Sequence, residues 1–124
     1  MKRLLEKVTS VLRSELRPEP AHHHKTGHKV FVHIDEPLTA DRRLRKYQKP
    51  LHQALMLAHL GHVTGGGSVQ GTDGTIHWIS IEMRLNDLEG SLHFACGKLR
   101  ELGASARSTV KYQHAGTTVV RPIR

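Results

Sequence analysis

The sequence predicts an α+β fold in which an antiparallel sheet carries two helices on one face. Three observations lead there. Residues 29–34 and 76–85 are rich in β-branched and aromatic residues, with aliphatic side chains at every second position. Two stretches, from Pro50 and from residue 87, repeat apolar residues at helical spacing. Asp73-Gly74, in "GTDGT", tolerates the positive φ of a tight hairpin between a Gly-rich strand and the second β stretch.

The elements follow in order. Over 1–17, Leu4, Leu5, Val8, Val11, Leu12 and Leu16 form an apolar stripe among Lys2, Arg3, Lys7 and Arg13, an amphipathic N-terminal helix that Pro18 ends. "RPEPAHHHKTGH" has two prolines, one glycine and four histidines without apolar periodicity, so 18–28 reads as a linker. The α+β domain then occupies 29–124. "KVFVHI" is its first strand. Pro50 suits the first turn of a helix, which leaves 40–49 as a separate basic helical turn. Leu51, Ala54, Leu55 and Ala58 give the helix an apolar face, and Gly61 fits the position after its end. Val63 to Gln70 is a strand weakened by its glycines, and Ile76 to Leu85 is the strongest strand. Asn86 is placed to cap the next helix, with Glu89 reaching back. Leu88, Leu92, Ala95, Leu99 and Leu102 line that helix's buried side, and Gly103 ends it. Residues 108–112 form a further strand and 117–121 a short extra one. Strand, helix, strand, strand, helix, strand is the split βαβ, or ferredoxin-like, order.

A length of 124 residues suits one compact domain, and 37% hydrophobic with 24% charged residues is the balance of a soluble globular chain. No apolar run approaches the ~20 residues that span a bilayer, so no membrane partner is expected. The charged start lacks a signal-peptide core. A single cysteine, Cys96, cannot form an intrachain disulfide and points to a cytoplasmic protein. The net charge of +8 favours acidic partners.

Gly65-Gly66-Gly67 raises the question of a phosphate cradle. A P-loop needs a lysine after its last glycine, between strand and helix, and here the segment enters a hairpin. A dinucleotide fingerprint starting at Gly65 would need a glycine where Gln70 stands. A bulged or kinked strand explains the glycines, with a backbone amide nest for an anion as the alternative. No cofactor is expected.

Strand parity carries the functional reading. Val30, Val32 and Ile34 share one face with Ile79, Ile81, Met83 and Leu85, leaving Phe31, His33, Ile76 and Trp78 on the other. If the aliphatic face meets the helices, the aromatics lie on an open face. Two occupants fit it. The N-terminal stripe (Leu4, Leu5, Val8, Leu12) would bury itself there, within one chain or across a homodimer. Single-stranded nucleic acid would stack on Phe31 and Trp78, with Arg42, Arg43, Arg45 and Lys46 on its phosphates. However, the strand lacks the RNA-recognition signature. Metal and catalysis are weaker readings. His22, His23, His24 and His28 sit in a linker, His52 and His59 are a lone pair, and neither set makes a metal cage. Cys96 beside Ala95 reads as a buried thiol. Asp35 and Glu36 read as a solvated turn without a catalytic partner. An enzyme using Asp35, His33 and the glycines is the third alternative.

Over 61–104, "GHVTGGGSVQGTDGTIHWISIEMRLNDLEGSLHFACGKLRELGA" resembles small uncharacterised bacterial proteins of ferredoxin-like plan in its Gly-rich strand, D-G hairpin, D-L helix start and L-R-E-L-G-A helix end. The resemblance implies that fold and, through suspected immunity or partner-binding proteins of this kind, a protein ligand. "KPLHQAL" also resembles PII-like regulators, whose long loop and nucleotide-binding residues have no counterpart here. The expectation is a non-catalytic protein that binds another protein or itself, with single-stranded nucleic acid as the alternative.

Overall fold

The structure is a computed structural model that describes residues 27–124. The helix expected over 1–17 and nearly all of the linker expected over 18–28 lie outside the described residues. Five strands form one antiparallel sheet: β1 (His28–Ile34), β2 (Gly61–Gln70), β3 (Ile76–Leu85), β4 (Thr109–His114) and β5 (Thr117–Pro122), in the spatial order β2-β3-β1-β4-β5. The extra strand expected over 117–121 is therefore the outer edge beside β4. β1 lies between β3 and β4, with Val32 opposite both Ile81 and Val110. These three aliphatic residues are buried in one core with Leu51 and Leu55 from α2 (Lys49–Leu57) and Leu88, Leu92, Ala95 and Leu99 from α3 (Leu88–Glu101). Both helices therefore cover the aliphatic face of the sheet.

Four local outcomes differ from expectation, each for a physical reason. Residues 40–57 form a continuous helical run, α1 (Ala40–Arg43), a π-helical turn (Leu44–Gln48) and α2, where a separate basic turn was expected. Pro50 donates no backbone hydrogen bond, and its ring would strike the Lys46 carbonyl in a regular α-helix. The wide turn, closed by the Lys49 N–H on Leu44 O, precedes it and turns Tyr47 into the core.

Secondly, α2 ends on His59 (φ 58°), with Leu60 N donating to Leu55 O, so Gly61 is freed to open β2. Thirdly, the cap of α3 is Asp87, whose side chain accepts from Gly90 N while its own N–H donates to Ser91 Oγ. Asn86 instead donates its amide to His59 O and its N–H to Leu60 O, tying the end of α2 to the start of α3. Finally, Leu102 is only partly buried, because it follows the last turn of α3.

Candidate binding face

The sheet face turned away from both helices carries Phe31 and His33 from β1, Trp78, Ser80 and Glu82 from β3, Thr109 and Lys111 from β4, and Val120 from β5. Register aligns them in rows: Glu82, Phe31, Lys111 and Val120 cross four strands, and Ser80, His33 and Thr109 form the next row. Trp78 is diagonal to His33, and diagonal neighbours lie within reach of large rings. Their rings stack at 3.9 Å between centroids and 18° between planes. Phe31 is 40% exposed and Val120 59% exposed. Lys29 Nζ lies 5.9 Å from the Phe31 ring centroid and 4.0 Å from Glu82 Oε2. A concavity of about 310 Å³ opens between Phe31, His33, Trp78, Lys111 and Val120. A second, of about 450 Å³, lies between Gly27, Lys29, Phe31 and Lys111. Ile76 opens β3 beyond an irregularity in its pairing with β2, is partly exposed, and is not in the lining of either concavity.

The three glycines have two different uses. Pairing shifts between Val63 and Gly65, the bulge expected there. A Cβ on Gly66 would lie 2.5 Å from Gln48 Oε1 and 2.9 Å from Ser80 O, so the helical run can approach β2 only where this side chain is missing. Gly65 and Gly67 pair with Glu82 and Ser80 on the open side, where a Cβ on Gly65 would meet nothing within 4 Å. They leave the sheet bare beside the aromatic strip.

Three basic residues of the helical run, Arg43, Arg45 and Lys46, have side-chain partners within the fold. Arg43 Nε donates to Gln48 Oε1 at 2.6 Å and its Nη1 to Ser68 Oγ at 2.8 Å, while Ser68 Oγ donates to Leu38 O. Burial lowers the pKa of its guanidinium. Arg45 pairs with Asp41 at 2.7 Å and Lys46 with Glu36 at 2.6 Å. Arg42, Arg45 and Lys46 border a shallow recess of their own, and neither concavity of the open face includes them. The partners of Arg43, Arg45 and Lys46 are distant in sequence except for Asp41 and Gln48.

The remaining candidates are also engaged. Asp35 pairs with Arg107 at 2.5 Å. Burial pushes the Glu36 carboxyl up, but hydrogen bonds from Lys46 and Tyr47 and the charges of Lys46 and Arg42 outweigh it and hold it below its usual value. Burial, and then the same carboxylate, raise the Tyr47 hydroxyl far above its ordinary range. His52 Nδ1 accepts from Val63 N at 3.0 Å, and burial lowers its pKa. Cys96 is buried, and burial raises its thiol despite Arg100 and Arg121 nearby. Among the described residues no group of three or more His, Cys, Asp or Glu is arranged to hold a metal ion, and no helix is long and apolar enough to cross a membrane. Comparison with protein-family models, with curated proteins and with solved structures gives no match for this chain.

Proposed function

We propose that this is a non-catalytic binding protein that receives an apolar segment of another polypeptide on the open face of a ferredoxin-like sheet. The connectivity supports the fold name: β2-β3-β1-β4 is the split βαβ order, with β5 added outside β4. One observation carries the function. Phe31, the stacked His33–Trp78 pair and Val120 lie together on a face that neither helix covers. A contiguous apolar patch ringed by polar groups is the usual mark of an interaction site. Stacking fixes the two rings before binding, so little side-chain freedom is lost on contact. The single cysteine supports a cytoplasmic setting.

Photocrosslinking tests this. A benzophenone side chain at position 120 is expected to crosslink polypeptide in cells, whereas one at Gln53 or Glu101 on the helix side is not. Phe31→Ser should abolish the crosslink. Equal crosslinking from both sides of the molecule would refute the proposal.

A second reading rests on Lys29 and Lys111, which flank the rings as phosphate-contacting cations would. Single-stranded nucleic acid would then stack on Phe31 and Trp78. Titration with oligouridine at low and high salt separates the two: this reading requires affinity that falls steeply with salt and is lost in Trp78→Ala. Salt-insensitive binding, or binding unchanged in Trp78→Ala, counts against it.

A further inference from the structure

We infer that in the free protein the open face is occupied by the chain's own residues 2–16, so that a partner must displace an internal segment; this rests on the open face being the binding surface. Position supports it first. The described chain starts at Gly27, which itself lines the concavity with Lys29, Phe31 and Lys111. Gly27, to which the N-terminal segment is joined, thus lies at the border of the apolar strip, in one cavity with Phe31 and Lys111.

Dimensions agree. Read as a helix, residues 2–16 span about 22 Å. Five strands at about 4.8 Å spacing give a face roughly 19 Å across. Residues 17–26 can reach at most about 35 Å, more than enough to lay that helix over β1 and its neighbours. The prolines at 18 and 20 keep the spacer from continuing the helix past the sheet's edge.

Chemistry agrees as well. Leu4, Leu5, Val8, Val11, Leu12 and Leu16 need an apolar surface, and Phe31, Trp78 and Val120 provide one. Both surfaces also carry a net positive charge: Lys2, Arg3, Lys7 and Arg13 outnumber Glu6 and Glu15 on the segment, and Lys29 and Lys111 outnumber Glu82, which pairs with Lys29, on the sheet. The contact is therefore apolar, and its stability should be insensitive to salt or rise with it. A tether of this length gives a local concentration of order mM, so the intrachain arrangement prevails over a second copy in dilute solution.

Trp78 is the only tryptophan of the chain and reports the contact directly. The full-length protein is compared with Leu5→Glu/Val8→Glu/Leu12→Glu and, from the other side of the contact, with Val120→Glu. Far-UV circular dichroism verifies the fold of each. Acrylamide quenching of Trp78 is expected to rise, and its emission to shift to the red, in both variants and at every protein concentration. Equal quenching in the full-length protein and the triple variant would overturn the inference. Protection that disappears on dilution of the full-length protein would overturn it in favour of a second copy.

Binding of the dye ANS separates this from the binding-face reading. If quenching is equal but Phe31→Ser removes dye bound to the full-length protein, the face stands and only its internal occupant falls. If Phe31→Ser leaves dye binding unchanged in both the full-length protein and the triple variant, the binding face itself is refuted.

Discussion

Replacing Gly66 with alanine tests the reason for the three glycines. A Cβ there meets Gln48 Oε1 at 2.5 Å, Gln48 Cδ at 2.9 Å and the Ser80 carbonyl oxygen at 2.9 Å. The carbonyl belongs to β3 and cannot rotate away. The Gln48 amide could, but it accepts a 2.6 Å hydrogen bond from Arg43 Nε, and moving it strands a half-buried guanidinium. Overpacking of this kind costs about 1–3 kcal/mol. Removing a glycine from the unfolded chain returns about 0.4–1 kcal/mol. The net expectation is a loss of about 1–2 kcal/mol, or a melting temperature lower by roughly 4–8 °C for a domain of this size. Gly65→Ala is the control. Its Cβ points into open space and its φ is not positive, so stability should be unchanged or slightly higher. Urea unfolding monitored by far-UV circular dichroism measures both. Equal destabilisation by the two substitutions would refute the close-approach explanation and reopen the amide-nest alternative.

Two further predictions concern ionisable groups. Glu36→Gln should cost about 1–2 kcal/mol at pH 7, because Tyr47 and Lys46 lose an ionised acceptor. The depressed carboxylate contributes stability that is complete above its unfolded value of 4.5 and is lost as pH falls through the lower folded value. The acid branch of urea unfolding should therefore flatten in the variant, and an unchanged acid branch would contradict the pairing. For His52 the neutral ring is the form that accepts from Val63 N. Its lowered pKa means stability present above 6.5 and lost as pH falls through the folded value. Unfolding at pH 7 and pH 5 should show His52→Asn losing less stability than the unsubstituted protein, and equal losses would contradict that assignment.

The sheet was legible because alternation has a short period and aliphatic residues occupy every core position of β1 and β3. Val30, Val32 and Ile34 needed no partner to be identified as the buried side, and Phe31, His33 and Trp78 followed as its complement. The stack of His33 on Trp78 was not legible, because it depends on a register set jointly by the hairpin and by the return of β3 beside β1. Helix ends were misplaced by one or two residues. His59 took the left-handed position that composition gives to Gly61, and Asp87 took the cap from its neighbour Asn86. Both shifts follow from the bonds of Asn86 to His59 and Leu60, which couple segments 27 residues apart. In the basic run of residues 42–46 the charge is visible in sequence, whereas the partners of Arg43 and Lys46 within the fold are not. Arg43 meets Ser68 across 25 positions, and Lys46 meets Glu36 across 10.

The placement of the aromatic strip opposite the helices is tested most directly by hydroxyl-radical footprinting of the full-length chain carrying Leu5→Glu/Val8→Glu/Leu12→Glu. Phe31 and Trp78 should be modified readily, while Met83 and Tyr47, both fully buried beneath the helices, should be protected until the protein is unfolded. Protection of Trp78 equal to that of Met83 would mean that the indole belongs to the core, and the binding face would lose its central residue.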